Sequence, residues 1–166
     1  MEIRGYKAFN SDMTNCYGKI FLEGETYSVD EEPKFGINGV GFHFCERFED
    51  TLRYFPAMEE EIKLAQVTGL GDFVTREDDY WGYYDMYSTN ILRIDKILTH
   101  EEIIDMFLNL RNHFRVNRFL MGFRLTEEEI ELFRLAYSDN FTIQQTISYY
   151  QEGKLDTYKK PYQFRK

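Results

Sequence analysis

The spacing of apolar and polar residues changes once along this chain. Up to residue 98, apolar side chains alternate with polar ones or stand in short strand-forming runs; from Thr99 they recur three and four residues apart. Alternation places successive side chains on opposite faces of a strand, and the longer period gathers them on one side of a helix. The pattern predicts an α+β protein: an antiparallel β-rich core over residues 1–98 that carries one short helix, then a helical segment over 99–166 that ends in a mobile basic tail.

Within the first part, strand formers at about 3–9 are closed by the turn signal Asn10-Ser11-Asp12. Residues 19–22 and 26–29, joined through Glu23-Gly24-Glu25, read as a hairpin. A loop over 30–38 leads into Gly41-Phe42-His43-Phe44-Cys45, where alternation sets His43 and Cys45 on one face and Phe42 and Phe44 on the core face. Phe48, Leu52 and Phe55 then fit one stripe of a short helix that Pro56 closes. Residues 62–67 alternate cleanly as a strand up to Gly69 and Gly71, Phe73-Val74-Thr75 resumes it, and residues 88–97 read as one further strand.

Helical grammar follows. Thr99 with Glu102, Thr126 with Glu129 and Thr142 with Gln145 have the spacing of capping boxes, and each precedes an apolar stripe. Ser138-Asp139-Asn140 separates two short helices into a helical hairpin, and Gly153 ends the second. If the first helix continues through Leu120, Arg111, Arg115 and Arg118 form a basic stripe able to meet phosphate or an acidic partner.

Charge narrows the function classes. The net charge of −9 argues against direct nucleic-acid binding by the whole protein, which needs a basic surface, and suits a basic protein partner. Acidic residues concentrate over 46–79, whereas Lys154, Lys159, Lys160, Arg165 and Lys166 make the tail basic. The two cysteines have no paired spacing, and there is neither a signal-peptide pattern nor an apolar run near the roughly 20 residues of a membrane span. These features predict a cytoplasmic protein with reduced thiols and no membrane association.

Candidate chemistry is sparse. His43, Cys45 and Cys16 offer three zinc ligands but no spacing supplies a fourth, so no metal is expected. His43 and Cys45 as same-face neighbours stand about 7 Å apart at Cα, too far for a self-sufficient nucleophile pair. The stretch containing Asp78, Asp79, Tyr80, Trp81, Tyr83, Tyr84, Asp85 and Tyr87 combines ring faces with carboxylates, as a clamp for a cation or basic peptide does; a long, locally packed hairpin loop is the plainer reading. No phosphate-binding loop, dinucleotide fingerprint, zinc-protease helix or nucleophile elbow occurs.

The ordered motifs Gly5-Tyr6-Lys7-Ala8-Phe9, Gly24-Glu25-Thr26-Tyr27, Gly41-Phe42-His43-Phe44-Cys45-Glu46, Tyr54-Phe55-Pro56, the stretch from Asn90 to Ile94 and Leu98-Thr99-His100-Glu101-Glu102 resemble a domain family of bacteria and their phages over residues 3–104. That family brings no established activity. The later helical boxes resemble short helical repeats of Firmicutes proteins. More distantly, the order of an aromatic first strand, a Gly-Phe-x-Phe strand, a helix and a strand is similar to the core of ADP-ribosyltransferases. That likeness implies NAD as cofactor, with Arg4, His43 and Glu77 as the catalytic candidates. The leading expectation is a phage- or prophage-type binding module without a cofactor, an anti-CRISPR-like inhibitor whose partner is a basic nucleic-acid-binding defence protein. An NAD-dependent transferase is the alternative.

Overall fold

A seven-stranded antiparallel sheet precedes four helices in the computed structural model, which describes residues 2–15, 18–35, 39–54, 62–78 and 83–153. The strands are β1 (Ile3–Phe9), β2 (Thr26–Ser28), β3 (Phe42–Cys45), β4 (Lys63–Gly69), β5 (Phe73–Asp78), β6 (Tyr83–Thr89) and β7 (Ile91–Ile97). The helices are α1 (His100–Leu108), α2 (His113–Gly122), α3 (Glu127–Ala136) and α4 (Phe141–Gln151). The sheet belongs to one compact unit that ends at Leu98, and the helices belong to a second that takes up the chain at Thr99.

Strand order is β2-β7-β4-β1-β3-β6-β5. β4 and β5 are consecutive, as are β6 and β7, yet β4 pairs with β7 and β5 with β6. Together they make one long ribbon that bends at residues 70–72 and Asn90. The sequence suggested a single strand over 88–97. Asn90 divides it, because its side-chain oxygen accepts from Asp72 N at 2.8 Å and its carbonyl accepts from Val29 N at 2.9 Å. Gly71 lies so near the Asn90 amide that a Cβ there would collide with Oδ1. The arms diverge from this corner, with β1 lying against β4 and β3 against β6.

The core lies on one face of this bent sheet. Phe9, Phe42, Phe44, Ala65, Val67, Leu92 and Ile94 alternate inward from β1, β3, β4 and β7, and Phe21 joins them from the loop after β1. Full burial of a side chain of this kind contributes about 1.5–3 kcal/mol. That gain accounts for the fate of residues 19–22, which form no strand beyond a single Thr14–Ile20 bridge. Phe21 is drawn wholly into the core, and Lys19 Nζ lies over three rings, 5.0 Å from Tyr27, 5.3 Å from Phe42 and 5.8 Å from Phe21. The hairpin expected with 26–29 is replaced by pairing of β2 with β7. The short helix expected here forms over residues 48–54 as a 3-10 helix; Leu52 is buried, and Phe48 meets Tyr6 edge to face at 5.9 Å.

The helical unit is built in two similar levels. Leu98-Thr99-x-x-Glu102-Ile103 recurs as Leu125-Thr126-x-x-Glu129-Ile130. Both Thr residues close reciprocal capping boxes, starting α1 and α3. α2 and α4 instead start on Asn112 and Asn140, whose side chains accept from Arg115 N and Ile143 N. Asn140 therefore takes the capping role expected of Thr142. α1 runs beside α3, where His100 Nε2 and Glu129 Oε1 stand 2.7 Å apart; α2 runs beside α4, where Thr146 Oγ1 donates to Asn117 at 2.5 Å. The Tyr137 hydroxyl, which donates to one acceptor at a time, lies within 3.0 Å of the carbonyls of Phe107, Leu108 and Leu110 at the end of α1. The Tyr150 hydroxyl accepts from Leu125 N at 2.9 Å, beyond the end of α2. Each tyrosine thus serves backbone groups left over where a helix of the preceding level stops.

β1 and β3 meet at the Tyr6–Cys45 pair, and the approach leaves no space beside Gly5: a Cβ would overlap the Cys45 carbonyl and stand 2.8 Å from the Phe44 ring. Gly5→Ala is therefore expected to destabilise the sheet unit by about 1–3 kcal/mol, the usual cost of overpacking, measured as a lower urea midpoint.

Candidate functional site

His43 extends from β3 on the face opposite Phe42 and Phe44, as alternation requires. The loop before β3 lies over it: the Phe35 ring stacks on the imidazole at 5.0 Å with an 11° interplanar angle, and Nε2 lies 3.4 Å from the Lys34 carbonyl. Lys34 is itself held, its N donating to Val40 O at 2.9 Å, and Ser88 Oγ donates to the same carbonyl at 3.1 Å. Lys7 Nζ donates to the His43 carbonyl at 2.7 Å. No sequence pattern marks Phe35 or Lys34 as partners of His43, and Lys7 stands in the Gly5–Phe9 motif without a role; the one signal is an aromatic residue set between Pro33 and Gly36 in a loop that otherwise only connects.

The other catalytic candidates do not gather around His43. Arg4 is exposed on β1. Since β1 and β3 are antiparallel and in register at Tyr6–Cys45, Arg4 and His43 lie on opposite sides of that pair. Four residues at roughly 3.3 Å each put about 13 Å between them along the strands. Glu77 is on β5, which β3 and β6 separate from β1. Cys45 is buried, and Cys16 is outside the described residues. Among the described residues no three His, Cys, Asp or Glu side chains group as metal ligands do.

The aromatic and acidic stretch is carried by the β5–β6 hairpin. Pairing extends to Asp78 opposite Tyr83, and Tyr84 and Asp85 follow within β6, so this part is strand where a loop was expected. Asp79, Tyr80 and Trp81 are outside the described residues. Tyr87 turns inward: its ring stacks on Phe44 at 5.4 Å, and its hydroxyl donates to Glu46 Oε2 at 3.2 Å. β5 is the last strand of the sheet, and no described strand pairs with its outer side.

The expected arginine stripe does not form. Asn112 starts a new helix, so Arg111 falls in the connection between α1 and α2; Arg115 is buried, 3% exposed, and Arg118 faces solvent. Among the described residues, no helix is long and apolar enough to cross a membrane.

The arrangement defines an antiparallel α+β protein in which His43 is covered by a short loop and an aromatic, acidic hairpin forms one edge of the sheet. The chain belongs to the family described as a domain of unknown function, DUF7666, whose model matches residues 3–106. No curated protein and no solved structure matches the chain.

Burial holds the His43 imidazole below its ordinary value of 6.5; the Lys7 ammonium acts in the same direction, and the Lys34 carbonyl opposes both. A group whose folded value is depressed in this way favours folding fully while it is neutral in both states. Its contribution is lost as pH falls below the unfolded value near 6.5 toward the folded one. Wild-type stability is therefore expected to decline on the acid side of pH 6.5, with the decline smaller in His43→Gln, read from urea midpoints between about pH 7.5 and about pH 5.

Proposed function

We propose that this protein is a small acidic binding module that presents the β5–β6 hairpin to a protein partner. The observation that carries this reading is the position of the hairpin: Asp78, Tyr83, Tyr84 and Asp85 lie on the last two strands at one end of the sheet, and no described strand pairs with the outer side of β5. Tyrosines supply large contact area at small entropic cost, and neighbouring carboxylates favour a basic partner. The net charge of −9 supports the same partner class. In its finer form, the protein acts in the cytoplasm of a bacterial host as a phage- or prophage-type inhibitor of a defence complex. Like an anti-CRISPR protein, it occupies the basic channel through which its target would hold nucleic acid, and it needs no cofactor.

Tagged protein incubated with bacterial lysate is expected to retain one stoichiometric protein. A variant carrying Tyr83→Ala, Tyr84→Ala and Asp85→Asn is expected to lose it while keeping its unfolding midpoint. Retention by both proteins would place the contact elsewhere.

The NAD-dependent transferase reading requires Arg4, His43 and Glu77 to act on one ligand, and the divergence of Arg4 from His43 weighs against it. Under the binding reading, millimolar NAD leaves the melting temperature of the wild type and of His43→Ala unchanged. A rise in the wild type that His43→Ala abolishes would favour the transferase instead.

A further inference from the structure

Two helices of the second unit turn apolar stripes of opposite charge toward solvent. On α2, Phe114, Arg118 and Met121 follow at i, i+4 and i+7; Phe114 is 65% exposed, Met121 39%, and Arg118 is exposed between them. Arg111, exposed just before the helix, adds positive charge at the same end as Phe114. On α3, Glu128, Leu132 and Leu135 repeat the spacing, with Leu132 48% and Leu135 66% exposed. Glu127 and Glu131 are exposed beside them, Glu131 being paired with Arg134 at 3.1 Å.

Both helices already bury another face: Val116, Phe119 and Leu120 on α2, and Ile130 and Phe133 on α3. The exposed stripes are therefore additional to the intramolecular core. Single exposed apolar residues are ordinary on protein surfaces, but large ones one helical turn apart form a seam of the kind on which another helix docks. One seam is flanked by arginine and the other by glutamate, so each supplies the complement of the other.

We propose that the protein associates with a second copy of itself, the α2 seam of one protomer seating on the α3 seam of its partner. Phe114 and Met121 then pack against Leu132 and Leu135, and the arginines of one seam lie among the glutamates of the other. Like seams repel, α2 on α2 through Arg118 and α3 on α3 through Glu128, and this repulsion fixes the pairing. The association is independent of the hairpin and of whatever partner it takes.

Sedimentation equilibrium on the full chain tests this. The wild type is expected to associate with increasing concentration, and less so at high salt. Arg118→Glu and Leu135→Gln are each expected to weaken association by about tenfold or more. Glu128→Lys combined with Arg118→Glu in one chain is expected to restore part of it. Arg76→Glu, which makes the same change in net charge on exposed β5, is expected to have no effect. A wild type that remains monomeric up to millimolar concentration, or association that neither seam variant weakens, would overturn the proposal.

Discussion

The close approach of Gly71 to the Asn90 amide is the constraint on which the sheet depends. It sits where the two paired arms of residues 63–78 and 83–97 meet. The Asn90 side chain holds the backbone of the opposite strand at Asp72, and the absence of a side chain at residue 71 lets the two come together. The resulting bend opens an angle into which β1 and β3 fit, and it brings Leu92 and Ile94 over the phenylalanines of those strands. Gly5 meets a second constraint of the same kind, imposed by the crossing of β1 and β3 that completes the sheet. The placement of the candidate sites follows: His43 depends on β3, and the hairpin position depends on the arm beyond the corner.

The helical unit solves a different problem. Its helices are short, and short helices leave a large fraction of their backbone groups unsatisfied. Thr99, Asn112, Thr126 and Asn140 serve the N-terminal donors of all four, and Tyr137 and Tyr150 reach back to the ends of the previous level. The interior of the first level is largely aromatic, with Phe107 stacked on Phe119 at 3.9 Å and Phe119 on Phe123 at 4.6 Å, and Phe119 meets Phe133 of the next level at 5.8 Å.

The change of period at Thr99, the strand at 3–9, the inward pair Phe42 and Phe44 and two of three Thr capping boxes were legible in the sequence because each is set by neighbours in the chain. What was not legible depended on distant residues. Residues 19–22 look like a strand, but Phe21 is held by Phe9, Tyr27 and Phe42, none of which local pattern places beside it. Asn112 has the chemistry of a helix cap yet sits in an otherwise continuous apolar and polar rhythm, which carries the arginine stripe across a break between two helices. The cover over His43 was hidden for a related reason: nothing in the local pattern sets the Phe35 ring on the imidazole, which is a contact between a loop residue and a strand residue. The family match over residues 3–106 agrees with the range of the ordered motifs, although it carries no chemistry of its own.

The strand order also bears on how the chain acquires its structure. β1 finds both of its partners far downstream, in β3 and β4, and β2 waits for β7. As the polypeptide leaves the ribosome, Phe9, Phe21, Phe42 and Phe44 all emerge before Leu92 and Ile94, the residues that complete their shelter. Contacts of such long sequence separation form slowly, whereas adjacent helices and the β5–β6 hairpin close over short loops. The aromatic residues that make the finished sheet stable are thus its greatest aggregation hazard during synthesis, for as long as the corner at Asn90 has yet to be made.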